Sequence, residues 1–273
     1  MIERECYTFR VQPSEANPQR QWPAPHRPWI MKQVWHDLLF MHWPAAIEQL
    51  RPLIPAELEI ESYEGSAWVG VVPFHMSGIR AHWLPPVPGT SAFPELNVRT
   101  YVRTGAKAGV WFFSLDAANS LAVAGARRFY HLPYFRARMH AKSGPNGEIQ
   151  YESHRTSRDA PSADFRGWYR PSGDPFRAQQ GSLEYFLVER YCLYAASGSR
   201  IFRGEIDHAP WPLQRAEAEI KLDTLAAASG ITLPASKPLL HFARRQEVRV
   251  WTLEAKEPPE RRVGCYKGNG KQS

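Results

Sequence analysis

Glu95, Asn97 and Arg99 are the residues of this 273-residue chain whose types and spacing point most directly to chemistry. They alternate within Glu-Leu-Asn-Val-Arg-Thr-Tyr-Val, residues 95–102. In a strand that period puts Glu95, Asn97, Arg99 and Tyr101 on one face and Leu96, Val98, Thr100 and Val102 on the other. An arginine so placed can hold a carboxylate bidentately, and a glutamate on the same face can move protons. Thr104-Gly-Ala-Lys-Ala-Gly109 then turns the chain into a second strand, Val110 to Asp116. A turn centred near Gly105 and Ala106 sets Ser114 opposite Asn97 and Asp116 opposite Glu95, gathering five polar groups on one side. A slip of one residue would disperse them. Two readings of this face stay open. It is a sheet surface in water, as antiparallel sheets often present, or the wall of a pocket with Tyr101, Phe112 and Tyr130 around it.

The elements that must carry these residues are read from punctuation and periodicity. Pro44 to Leu50 predicts a short helix, and Leu58–Tyr63 with Ala67–Phe74 predicts a hairpin around Glu64-Gly65. Asp116 is an N-cap candidate for a helix from Ala117 to about Tyr130 that stops before Pro133. Further hairpins are predicted for Tyr134–Ala141 with Ile149–His154, and for Tyr191–Ala195 with Ile201–Ile206. Ser182–Arg190 and Leu222–Ser229 read as helices, the second closed by Gly230. Gln246–Leu253 reads as a last strand. The sum is a mostly antiparallel α+β domain. Residues 1–28 and 257–273 are Pro-rich or polar and predict an extended arm and a flexible tail, leaving 29–256 as one domain. Leu84-Pro-Pro-Val-Pro-Gly-Thr predicts a loop at a surface or over a pocket mouth.

Several reaction classes lack an anchor. The sequence has no Gly-x-Gly-x-x-Gly, no P-loop, no His-Glu-x-x-His and no Gly-x-Ser-x-Gly. His36 and His42 are six apart and the other histidines are dispersed, which predicts neither a metal site nor a cofactor. Cys6, Cys192 and Cys265 are an odd number at wide spacing, which fits a reducing compartment better than a disulfide framework. No apolar run is long enough for a membrane helix and Glu3, Arg4 and Glu5 interrupt any leader, so the expectation is a soluble, cytoplasmic protein. Net charge is +7, with 34 basic residues of which only eight are lysine. The arginines are scattered among acids rather than gathered in a stripe, which argues against nucleic acid as the partner.

At Met31-Lys-Gln-Val-Trp-His-Asp-Leu-Leu-Phe-Met-His-Trp-Pro44, Glu95 to Val102, Gly109-Val-Trp-Phe-Phe-Ser-Leu-Asp116, Leu132-Pro-Tyr134, Glu189-Arg-Tyr191 and His208-Ala-Pro-Trp-Pro-Leu213, the chain resembles the YqjF-like family of conserved bacterial proteins. That family is similar to the acetoacetate decarboxylase-like superfamily. The resemblance implies a single domain around a closed or nearly closed antiparallel β-barrel with flanking helices. Members of that superfamily assemble as oligomers, which leaves room for a homo-oligomer. The decarboxylases use a Schiff-base lysine in a Gly-Arg-Glu segment followed closely by Pro-Lys-Lys. Here Ala126 and Arg127 stand at its first two positions and Pro133 six residues after Arg127, but Arg128 replaces the acid and Tyr134-Phe135 the lysines. Lysine-dependent decarboxylation is thereby argued against, and Lys107, in a hairpin turn, is no substitute.

By the same resemblance Glu95 matches an acidic residue on a pocket-lining strand. Arg99 is then an anion clamp, with Asn97, Ser114 and Tyr101 as further ligand contacts. Tyr134 becomes a hydrogen-bond donor or acid, and Arg127 reaches either the ligand or the end of its own helix. His42 is the one further candidate for proton transfer, because an imidazole titrates near neutrality. The remaining motif residues, among them Arg190, Tyr191, His208 and Trp211, read as packing. The resulting expectation is a small-molecule pocket protein, an enzyme acting on an oxo-acid or carboxylated carbonyl compound by lyase- or hydratase-like chemistry. A non-catalytic ligand-binding barrel is the first alternative and a basic interaction surface the second.

Overall fold

The computed structural model describes residues 17–85 and 92–256. Their strands are β1 (Met31–Ala45), β2 (Glu59–Ile60), β3 (Ala67–Ala81), β4 (Phe93–Thr104), β5 (Lys107–Ala117), β6 (Tyr134–Ser143), β7 (Ile149–Arg155), β8 (Asp164–Phe176), β9 (Cys192–Ser197), β10 (Arg200–Asp207), β11 (Leu213–Asp223) and β12 (Leu239–Ala255). The helices are short: α1 (Ile47–Leu50), α2 (Ser120–Tyr130), α3 (Leu183–Val188) and α4 (Leu225–Ala228). All strands join one sheet in the order β10-β9-β5-β6-β7-β8-β11-β12-β1-β3-β4-β2, with β10 also pairing with β12 and β5 with β4. Every pairing is antiparallel except β5 with β6 and β5 with β9. The first of these follows from geometry, because α2 carries the chain across between two strands that run the same way.

Both faces of β4 are buried, and this decides between the two readings of its polar face. Leu96, Val98 and Val102 join one apolar cluster with Leu39, Val69 and Val71. Phe93 and Tyr101 join another with Phe40, Phe74 and Trp211. Glu95 and Asn97 lie on the second face with only 3% and 4% of their surface exposed, so it is not a solvent face.

Several predicted elements differ, each for a tertiary reason. Trp43, Pro44 and Ala45 extend β1 against β3, so the helix expected from Pro44 begins at Ile47. Leu58–Tyr63 does not form a hairpin with Ala67–Phe74. Its short strand β2 pairs with β4, and a Tyr63–Ser66 bridge alone closes the turn at Glu64 and Gly65, which both have positive φ. Strands β8 and β11 were not legible. β11 reads Arg-Ala-Glu-Ala-Glu-Ile-Lys-Leu, good helix formers, yet it pairs with β8 over most of its length, and Leu222, expected in a helix, is part of it. Packing against a neighbouring strand outweighs an intrinsic preference of a few tenths of a kcal/mol per residue, roughly.

The arm is described from Asn17 onward and has no helix or strand up to β1, but it is tied down. Arg20 pairs with Glu205 at 2.6 Å, Trp22 donates its indole N–H to the same carboxylate at 2.8 Å, and Asn17 donates to the Tyr191 hydroxyl at 2.9 Å. The 257–273 tail and most of the Pro-rich loop, residues 86–91, lie outside the described residues.

Candidate ligand cavity

The β4–β5 hairpin forms as expected at its tip, Thr104 facing Lys107 with Gly105 at φ 57°. Its register then shifts between Val98 and Arg99. Arg99 faces Phe112 but Val98 faces Ser114, which leaves Phe113 as an extra residue. Beyond such a bulge every side chain of the longer strand points to the face opposite the one that a regular register would give it. The predicted cluster of five is corrected accordingly. Asn97 faces Leu115 and Glu95 faces Ala117, while Ser114 and Asp116 fall opposite Val98 and Leu96 on the other side of the sheet. Asp116 there pairs with Arg155 at 2.8 Å, both side chains fully buried, and does not cap a helix. Asn119 caps α2 instead, its side-chain oxygen accepting from the backbone N–H groups of Leu121 and Ala122 at 3.0 Å.

The bulge leaves an apolar wall around the remaining polar groups. A cavity of about 350 Å³ opens between β4, the first half of β1, the second half of β3, helix α2 and the segment from Ile206 to Trp211. Trp35, Phe74, Phe93, Phe112, Phe129 and Trp211 supply its aromatic surface, and Ala122, Gly125 and Ala126 let α2 approach it closely. Glu95, Asn97, Arg99 and Tyr134 all line it. Four of the predicted site residues are therefore brought together, from β4 and the first residue of β6.

Glu95 and Tyr134 form one unit. The Tyr134 hydroxyl donates to Oε2 of Glu95 at 2.8 Å, and Tyr151 donates to the Glu95 backbone carbonyl at 2.8 Å. Burial pushes the Glu95 carboxyl up to about 8, against the Tyr134 hydrogen bond that favours its anion and with Asp116 adding repulsion. At neutral pH this carboxyl is mostly the neutral acid. Burial and the adjoining Glu95 also hold the Tyr134 phenol well above its ordinary range. A proton is thus available at the Glu95–Tyr134 pair, in an apolar setting that makes its transfer directional.

Arg99 is placed differently. Its guanidinium lies over the Phe40 ring at 5.3 Å and the Tyr101 ring at 5.9 Å, and its buried Nε has no partner. Arg190 also reaches the cavity but is paired with Glu61. Among the described residues no carboxylate pairs with Arg99, so it is the uncompensated cation of this wall. Buried polar atoms without partners also include Asn97 Oδ1, the Tyr130 hydroxyl and the Trp211 indole N–H, all on cavity-lining residues. Each of these groups is free to hydrogen-bond a ligand or a water.

Tyr101 and His42 sit behind Arg99 rather than in the wall. The Tyr101 hydroxyl and His42 Nε2 are 2.7 Å apart, and His42 packs its ring against Gly70, where an added Cβ would approach it to 3.0 Å. Burial first, then Arg99 and His241, hold the imidazole well below its ordinary pKa, so it stays neutral. Arg127 reaches neither the cavity nor the carbonyls of its own helix. It donates to the Tyr134 backbone carbonyl and pairs with Asp159 at 2.8 Å, because it points away from the α2 face that carries Ala122 and Ala126. Lys107 pairs with Glu205 at 2.6 Å, and no lysine lines the cavity among the described residues. No three His, Cys, Asp or Glu side chains converge on a metal position there either.

Trp211, Tyr130, Arg190 and His208 are cavity residues that sequence reasoning set aside as packing or surroundings. For Arg190, His208 and Trp211 the available signal is their place in the Glu189–Tyr191 and His208–Leu213 segments. Glu189 ties these together, accepting from the Tyr191 hydroxyl and from the Trp211 backbone N–H, the latter at 3.0 Å.

Residues 32–247 match the DUF2071 family, described as an uncharacterized conserved protein. The chain belongs to this family. A DUF2071 relative from Bacillus subtilis, the uncharacterized protein YqjF, is 49% identical over 236 residues, which cover 86% of this chain and 96% of the relative. Among solved structures, the acetoacetate decarboxylase of Legionella pneumophila matches with a TM-score of 0.61 at 10% identity, covering 88% of this chain and 94% of that one. The enduracididine biosynthesis enzyme MppR complexed with pyruvate matches with a TM-score of 0.57 at 10% identity, covering 84% and 91%. The likeness is one of fold: this DUF2071 chain is a mostly antiparallel α+β domain with few helices, like the acetoacetate decarboxylases. No helix among its described residues is long and apolar enough to cross a membrane.

Proposed function

We propose that this YqjF-like chain is a cytoplasmic pocket protein whose sheet closes, or nearly closes, around a small carboxylated carbonyl compound and acts on it without a Schiff base. The observation that carries the reading is Arg99, a guanidinium with no carboxylate partner among the described residues and a buried Nε without a partner, in a mostly apolar cavity. A cation without a counter-charge in such a wall is costly, and an anionic ligand reduces the cost. The Trp211 N–H can donate to the anion, and Asn97 Oδ1 can accept from a hydroxyl elsewhere on the ligand. Glu95 and Tyr134 then handle protons: with the tyrosine hydroxyl turned to a carbonyl oxygen, the neutral Glu95 O–H donates to it in place of the bond it now accepts, so that a proton passes from Glu95 through Tyr134 to the ligand and returns by the same path. His42 and Tyr101 act on the ligand only through Arg99, by holding its guanidinium. The reaction class that this set supports is lyase- or hydratase-like.

MppR is a neighbour in fold whose complex holds pyruvate, which is consistent with a carboxylate-binding cavity on this scaffold. The second reading, a barrel that binds and does not turn over, is favoured by Tyr134 and Phe135 standing where the resemblance puts paired lysines. The test is a thermal-shift screen of wild type and Arg99→Ala against oxo-acids, other carboxylates and neutral carbonyl compounds. A carboxylate-dependent rise in Tm that Arg99→Ala abolishes supports the site, and consumption of the bound compound, followed by NMR, separates enzyme from binder. No response to any carboxylate, or one that survives Arg99→Ala, overturns it.

A further inference from the structure

The two chemical ends of the cavity are too far apart for one short oxo-acid to reach both. Glu95 and Arg99 are four residues apart on one strand, and the bulge beside them lies on β5, so β4 keeps its ordinary rise and separates their backbones by roughly 13 Å. Their side chains do not close the gap. The Glu95 carboxyl is held by Tyr134, while the Arg99 guanidinium is kept near its own level of β4 by two rings on either side, Tyr101, two residues further from Glu95, and Phe40, level with Asn97. A carboxylate bound at Arg99 therefore leaves an adjacent keto group out of reach of Glu95 and Tyr134.

What lies between the ends is aromatic. Trp211 meets Phe40, on which Arg99 rests, edge to face at 5.2 Å, and Trp35 stacks on Trp211 at 6.1 Å. Phe74 meets Trp35 at 5.7 Å and is the cross-strand partner of Glu95. Trp211, Trp35 and Phe74 thus form a continuous wall from the cationic end to the proton-bearing end, and all three line the cavity. Asn97, midway on β4, interrupts it with one orphaned acceptor oxygen.

We infer that the ligand is an elongated amphipathic acid, with its carboxylate at Arg99, an apolar or aromatic middle along Trp211, Trp35 and Phe74, and a neutral carbonyl or hydroxyl group at the Glu95–Tyr134 end. This rests on the reading of Arg99 as the anion site and narrows its ligand from short oxo-acids to extended ones. The volume of about 350 Å³ falls within the range of small-molecule pockets.

The experiment titrates the full chain by calorimetry with pyruvate and with straight-chain carboxylates bearing a terminal-side ketone or hydroxyl, up to about ten carbons, a length that spans roughly 13 Å. Affinity is expected to rise with length, the best extended acid binding at least about tenfold tighter than pyruvate. Tyr134→Phe should weaken the extended oxo-acids several-fold and leave plain fatty acids of equal length unchanged, a split that loss of packing alone would not give. Arg99→Ala should abolish binding at every length, with Arg99→Lys, which keeps the charge, retaining part of it. If pyruvate binds as tightly as the extended acids, or Tyr134→Phe affects both series alike, the elongated ligand is wrong while the anion site stands. If no carboxylate binds, or binding survives Arg99→Ala, the anion site falls and the inference with it.

Discussion

Glu95 gives the site its proton and carries a measurable penalty for doing so. Its carboxyl is moved from an ordinary 4.5 up to about 8, so between those values the folded chain holds a proton that the unfolded chain has released. Stability from this group is complete below pH 4.5, declines as pH rises through 8 and is level beyond. Glu95→Gln keeps the size and removes the titration. The stability of wild type minus that of the variant, from urea melts at several pH values, is expected to fall by on the order of 3–5 kcal/mol across that window. A difference that stays flat with pH would mean that Glu95 is solvated or already ionised in the folded state. Asp116, also raised, to about 6, is common to both proteins and largely cancels. Residue types and a period of two were enough to find Glu95, Asn97 and Arg99 in the sequence, because alternation depends only on local backbone geometry.

At the scale of the element, the β4–β5 bulge decides which polar residues share the cavity. The sequence around Phe112, Phe113 and Ser114 has no Gly or Pro to announce it, and a regular hairpin would have put Ser114 and Asp116 beside Glu95. The buried Asp116–Arg155 pair and Leu115 in the cavity wall are what the shifted register makes possible, and both depend on strands distant in sequence. The same strand carries a sharper constraint at Gly109. A Cβ there would stand 2.7 Å from the Cys192 carbonyl oxygen and its sulfur and 2.8 Å from the Tyr194 ring, at the parallel contact of β5 with β9. Backbone oxygen cannot yield as a flexible side chain would. Gly109→Ala is expected to cost about 1–3 kcal/mol in chemical denaturation, with Cys192 and Leu193 displaced in the cavity wall; an unchanged midpoint would show that β9 moves freely.

For the whole molecule, the +7 charge is distributed rather than focused. Among the described residues, Arg170 with Glu217, Arg244 with Asp37, and Lys32 and Arg245 with Glu247 are surface pairs that set acids beside these cations. The arm uses its charge internally. Arg20 and Glu205 are both buried, and Lys107 and Arg203 share the carboxylate. Arg20→Ala is expected to lower stability by about 2 kcal/mol, less than for an isolated buried pair because two cations remain. A variant as stable as wild type would mean that the arm only rests on the domain. The sequence by itself determined the class of the fold, the family resemblance, the missing lysine at Tyr134 and the polar alternation of β4, all properties written in residue types and short spacings. The tertiary contacts alone make this face buried, turn Ser114, Asp116 and Arg127 away from it, bring Trp211 and Tyr130 to it and leave Arg99 without a carboxylate partner among the described residues. Register, bulges and burial are set by contacts between strands far apart in the chain, where the free energy of packing two surfaces outweighs any local preference.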